Sequence, residues 1–113
     1  MRKKITKNIV KNKSFDFAIR IVKLYQYLTT EKNEYILSKQ LLRSGTSVGA
    51  MVRESEHAQS KADFIHKLSI AQKESNETLY WLELLTKTGI AAIMNMHLLL
   101  ANPWKRVTLN FLV

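Results

Sequence analysis

The sequence predicts an all-α protein, an antiparallel up-down-up-down four-helix bundle. Three observations lead there. Only three Gly and one Pro interrupt 113 residues, which favours long helices over many short strands. Three segments carry apolar residues at three- and four-residue steps, and a fourth is almost wholly apolar. The connections between them are short, so neighbours run antiparallel and four apolar stripes can bury one another. The length fits one domain, able to bury about two-thirds of its unfolded-chain surface.

Residues 1–13 read as a basic N-terminal arm, 14–101 as the bundle, and 102–113 as a C-terminal tail, either a short helix or irregular. In the arm, Ile5, Ile9 and Val10 supply at most one weak helical turn. Ser14 is then the expected N-cap of the first helix, its hydroxyl accepting from an orphan backbone N–H. From Phe15 the pattern is helical: Phe17 or Ala18, Ile21, Leu24 or Tyr25, and Leu28. It stops in the polar connector Thr29-Thr30-Glu31-Lys32-Asn33.

A second helix is expected from near Glu34, with Tyr35, Ile36, Leu37, Leu41 and Leu42 on its first apolar face. The run Ser44-Gly45-Thr46-Ser47-Val48-Gly49-Ala50 weakens helix propensity by about 2–3 kcal/mol in total. A loop between two short helices would suit it. A mid-helix stretch where small side chains admit another backbone suits it better, because no Pro and no strongly polar turn cluster is present.

Ser60-Lys61-Ala62-Asp63 has the form of a capping box, with Asp where Glu or Gln is usual. It opens the clearest helix. Phe64, Leu68, Ala71, Ser75, Thr78, Leu82 and Leu85 recur at the spacing of an antiparallel helix seam. Ile65, Leu79, Trp81 and Leu84 widen that face. Lys87-Thr88-Gly89 closes it, with a cation in the last turn and Gly89 suited to a left-handed cap. Ile90 to Ala101 is uncharged and nearly all apolar, the length of a core-facing fourth helix, and Asn102-Pro103 breaks it.

Composition narrows the function. Without Cys, disulfides and thiolate metal sites are excluded. No run of about 18 apolar residues is present, and the basic start lacks the apolar stretch of a secretory signal. A soluble, cytoplasmic protein with no membrane role is expected. The net charge of +9 is uneven. Met1 to Thr30 carries eight basic residues and one acid, Asp16, whereas the remaining 83 carry ten and eight. Arg2, Lys3, Lys4, Lys7, Lys11 and Lys13 have no acidic neighbour among them. Such a cluster either keeps a tail solvated or releases counterions from a phosphate backbone.

Catalytic readings fare poorly. Glu54-Ser55-Glu56-His57 and Asp63-Phe64-Ile65-His66 have the Glu-x-x-His spacing of di-metal bundles or its Asp analogue. The first segment offers only Asp16 and Glu31 to complete such a site, and the fourth offers no acid. Polar side chains beside a turn explain both pairs better. His97, in an apolar segment, suits a core or interface position. Ser44, Thr46 and Ser47 lack a nucleophile elbow and are read as packing residues. No phosphate-binding loop or dinucleotide fingerprint occurs. Tyr80 and Trp81 are read as core or interface rather than as base-stacking groups. No catalytic residue, metal, cofactor or small-molecule substrate is expected.

The combination Ser44-Gly45-Thr46-Ser47-Val48-Gly49-Ala50, Arg53-Glu54, Ser60-Lys61-Ala62-Asp63-Phe64 and Glu77-Thr78-Leu79-Tyr80-Trp81-Leu82-Glu83-Leu84-Leu85 resembles the four helix bundle proteins, also called 23S rRNA-intervening sequence proteins. The resemblance covers about Phe15 to Gly89. It implies an up-down bundle that assembles into a homopentamer, with a link to RNA or DNA and no established catalytic residues. The sequence departs from that pattern at Met51, where Asn is usual. It departs again over Ile90 to Val113, where Lys105 and Arg106 are the only charges.

The preferred expectation is a non-enzymatic, oligomeric accessory protein that binds RNA or DNA through sequence-independent phosphate contacts. The arm residues would be joined by Arg20, Lys23, Lys39, Arg43, Arg53, Lys61 and Lys67 on the polar faces. The alternative is an oligomeric protein-interaction scaffold with no nucleic-acid role.

Overall fold

A computed structural model describes residues 2–90, with side chains from Asn8 onward. Those residues form three helices and no strand: α1, Arg2–Thr30; α2, Leu37–Ser55; and α3, Lys61–Lys87. The chain is thus all-α over the described residues. The expected fourth helix and the tail 102–113 lie outside them, as does His97.

The first departure from the sequence reading is α1. The helix does not begin after Ser14 but runs unbroken from Arg2, so no extended arm precedes it. No acid stands in its first turn to match the helix dipole. The cause is burial further along. Val10, Ser14, Phe17, Ile21 and Leu28 are all buried at helical spacing, which carries the apolar stripe one turn upstream of Phe15. Ser14 is not a cap. Its hydroxyl donates back to the Lys11 carbonyl at 3.0 Å, inside the helix.

The second departure is the start of α2. Residue Glu34 lies before the helix and caps it. Its carboxylate accepts from the backbone N–H of Ile36, Leu37 and Ser38 at 3.2, 2.9 and 2.7 Å. Ser38 in turn donates its hydroxyl to the Glu34 carbonyl at 2.8 Å. A chain turn through Asn33, at φ 52°, brings this about.

The small-residue run lies within α2, which continues through it to Ser55. Its two glycines face α1. A Cβ on Gly45 would stand 2.7 Å from both γ-carbons of Ile21, and one on Gly49 would stand 3.3 Å from the Ser14 carbonyl oxygen. These contacts set 45 beside 21 and 49 beside 14, so α1 and α2 are antiparallel. On the other side, buried Ser44 accepts a hydrogen bond from Thr78 of α3 at 2.9 Å. Arg43 pairs with Glu74 and Glu77, and Glu54 with Lys67, which makes α3 antiparallel to α2. The middle helix therefore packs on both neighbours, while α1 and α3 hardly meet each other.

Both ends of α3 match the sequence signals. Ser60 accepts from the Asp63 N–H at 3.0 Å, and Asp63 accepts from the Gln59 N–H at 3.2 Å. At the other end Gly89 takes φ 74°. The Ile90 and Gly89 N–H groups donate to Leu85 and Thr86, the paired bonds of a Schellman cap. The seam is also as expected: Leu68, Ala71, Ser75, Thr78, Leu82 and Leu85 are buried, with Phe64 packed at the margin. One apolar cluster joins Leu68, Ala71, Leu82 and Leu85 to Val10, Phe17, Ile21, Leu28, Leu41, Val48 and Val52.

Candidate nucleic-acid interface

The expected phosphate-binding cations fall into three groups. The helical backbone carries Arg2, Lys3, Lys4 and Lys7 on the first two turns of α1, and their side chains lie outside the described residues. A second group is held by carboxylates. Lys11 pairs with Glu56 at 3.5 Å and Lys67 with Glu54 at 4.0 Å. Arg43 is held hardest: Nη1 reaches Glu74 at 3.2 Å while Nη2 bonds Glu77, which also accepts from the Trp81 indole N–H at 3.1 Å. That network ties α2 to α3 and engages both terminal nitrogens of the guanidinium, so a phosphate would have to compete with two carboxylates for it.

The third group has no carboxylate partner among the described residues: Lys13, Arg20, Lys23, Lys39, Arg53 and Lys61. All six are exposed. Helical geometry sets Lys13, Arg20 and Lys23 on one flank of α1, spanning about 15 Å along its axis, and the same register carries on to Arg2. Asp16 shares this flank without pairing to any of the three. Lys39 lies in the first turn of α2 and Lys61 opens α3. The six are therefore not one patch. The flank of α1 is the only place among the described residues where three of them share a helix face.

Arg53 stands apart. Its guanidinium carbon sits 4.9 Å from the centroid of the Phe15 ring, a cation–π contact between α2 and α1. Phe15 is 48% exposed. Lys32 lies 6.0 Å from the Tyr27 ring at the other end of α1. Sequence reasoning assigned no role to Phe15. The signal was available in the row Lys11, Phe15, Ile19, Lys23, which recurs every fourth residue and sets two apolar side chains between two cations.

Asp63 is taken up in capping α3. No group of three or more His, Asp or Glu side chains converges among the described residues. Tyr80 meets Trp81 edge to face at 5.0 Å. No described helix is long and apolar enough to cross a membrane.

Comparison with known proteins gives this architecture a family. Residues 6–102 match the 23S rRNA-intervening sequence protein family. The chain belongs to that family. Its fold is shared with a crystal structure of a protein with unknown function from the S23 ribosomal protein family of Bacteroides thetaiotaomicron. The two are 48% identical, with a TM-score of 0.92 over 95% of this chain and 97% of that one. No curated protein matches the sequence. Family membership agrees with the resemblance carried by the small-residue run of α2 and the aromatic-bearing face of α3, and it brings no residue role with it.

Proposed function

We propose that this chain is a non-enzymatic nucleic-acid-binding accessory protein of the cytoplasm. It holds RNA or DNA through phosphate contacts that do not read sequence. The observation that carries this reading is the flank of α1. Lys13, Arg20 and Lys23 project from one helix face with no carboxylate partner among the described residues, and Arg2 continues their register. Elsewhere Lys11, Arg43 and Lys67 are engaged by acids. Free cations on a rigid helix neutralise phosphates without first breaking ion pairs, and each contact releases a condensed counterion.

The finer architecture belongs to the same proposal. The apolar, uncharged stretch from Ile90 to Ala101 supplies the sequence of the fourth helix in this reading. The bundle self-associates into the homopentamer that family resemblance implies, which repeats the α1 flank in each subunit and multiplies its avidity.

Fluorescence anisotropy with a labelled RNA or DNA duplex over a salt series tests the reading. Affinity for the duplex should fall roughly 40- to 150-fold between about 50 and 200 mM salt, the response to three or four phosphate contacts. An affinity that barely moves over that range refutes it. Pull-down from lysate with and without nuclease separates it from the scaffold alternative: partners that survive nuclease favour a protein-binding role.

A further inference from the structure

We infer that the Arg53–Phe15 pair is a stacking platform for an unpaired nucleobase, so that the chain prefers single-stranded nucleic acid to duplex. The inference rests on the nucleic-acid reading above and deepens it. Phosphate contacts along α1 treat both forms alike, whereas an exposed aromatic ring accepts only a base whose face is free.

Three features of the site support this. The first is that Phe15 is exposed on the face of α1 roughly opposite the buried stripe of Val10, Phe17, Ile21 and Leu28. Ile19 at 40% and Val22 at 36% exposure continue its face. The second is the state of Arg53. Unlike Arg43, it has no carboxylate among the described residues, and its guanidinium is oriented by the Phe15 ring at 4.9 Å. A guanidinium so placed keeps its donors for a phosphate, and guanidinium planes stack bases as aromatic rings do. The third is spacing. Lys11 and Lys23 lie in the same every-fourth-residue row as Phe15, about 6 Å and about 12 Å from it along the helix axis. Those are close to one and two phosphate steps of an extended strand. Lys11 is engaged by Glu56, so Lys23 is the cation at hand on one side and Arg53 the one at the platform.

Charge decides what covers this row. It contains no acid. A second copy of the chain pressing the same row against itself would set Lys23 and Arg53 against like charges. A polyanion carrying flat apolar rings satisfies both the cations and the aromatic surface.

The test uses a single-stranded RNA of about 12 nucleotides without self-complementarity, and the duplex it forms with its complement. Both are titrated against the full chain and its variants Phe15→Leu and Arg53→Lys. The first variant keeps an apolar side chain at a half-exposed site, and the second keeps the charge. Each should weaken single-strand binding about tenfold, leave the duplex within about twofold, and leave both salt slopes unchanged. Lys23→Ala should instead weaken both probes. Equal losses on the two probes, or none on the single strand, overturn the inference while leaving the phosphate reading intact. Failure of the unaltered chain to bind either probe overturns both. Light scattering of Phe15→Leu supplies the remaining outcome: a fall in assembly mass with unchanged single-strand affinity makes this row a subunit contact and overturns the platform.

Discussion

Replacing Gly45 by Ala should destabilise the protein, although Ala is the better helix former. Two opposing effects can be set against each other. In a helix interior the substitution gains about 1 kcal/mol from propensity. Against this, the new methyl would stand 2.7 Å from Cγ1 and Cγ2 of Ile21 and 3.1 Å from its Cβ. Relief needs about 1 Å of movement to reach ordinary carbon contact. Ile21 is fully buried, and a β-branched side chain in a helix has one strongly preferred rotamer, so it cannot swing aside. Overpacking of this kind costs about 1–3 kcal/mol. With three atoms of a stiff neighbour involved, the upper part of that range applies, leaving a net loss of about 1–2 kcal/mol. The internal control is Gly49→Ala. It gains the same propensity but meets the Ser14 carbonyl oxygen at 3.3 Å, where a few tenths of an ångström suffice. It should be near neutral. Urea unfolding followed by circular dichroism reads both: the Gly45→Ala midpoint falls with unchanged slope and the Gly49→Ala midpoint stays close to the parent. A Gly45→Ala midpoint above the parent would refute the close approach of α1 to α2 and the reasoning built on it.

Other outcomes follow from the same contacts. Glu34→Gln removes the charge that caps α2 and should cost about 1 kcal/mol at neutral pH, read by thermal unfolding. Partial burial pushes the Glu34 carboxyl up, but the backbone bonds from Leu37, Ser38 and Ile36 and the Ser38 hydroxyl outweigh it and hold the folded-state value below 4.5. The unfolded chain therefore takes up the proton first, and stability from this cap is present above about 4.5 and lost as pH falls further; Glu34→Gln should flatten that part of the acid-unfolding curve. Arg43→Ala should lower stability by about 1 kcal/mol, since Glu74 is left largely sheltered without its cation, yet change duplex affinity less than twofold. Ser75→Ala should be neutral or stabilising by up to about 1 kcal/mol, because the buried Ser75 hydroxyl has no hydrogen-bond partner among the described residues. A marked loss of melting temperature in that variant would reveal a partner for the hydroxyl.

Much of this fold could be read from residues alone where local chemistry and packing agree. The α3 seam from Leu68 to Leu85 combines a regular apolar period with Ser60 before it and Gly89 after it, and all of these signals reappear in the structure. The continuity of α2 through Gly45 and Gly49 was legible because small residues without Pro or polar turn chemistry mark a close approach. The start of α1 was not. Charge and a candidate cap at Ser14 pointed to a break, but burial of Val10 and Ser14 against the rest of the core outweighs local repulsion, and that burial depends on where α2 passes. The Glu34 cap was missed for a related reason: its carboxylate reaches N–H groups two to four residues on only once Asn33 has turned the chain.

The candidate site was legible in composition but not in arrangement. Counting Lys and Arg identified the cations, yet it could not tell Arg43, locked between Glu74 and Glu77, from Arg53, resting on Phe15. Those partners lie on other helices, and only the packing of α2 between its neighbours brings them within reach.

In the proposed function the free cations on one flank of α1 neutralise phosphates. The most direct measurement is the salt dependence of duplex binding for the chain in which Lys13, Arg20 and Lys23 are all replaced by Ala. The plot of log affinity against log salt should become shallower by about 2.7, the share of three lost contacts. A slope equal to that of the unaltered chain would contradict the account and move the interface elsewhere.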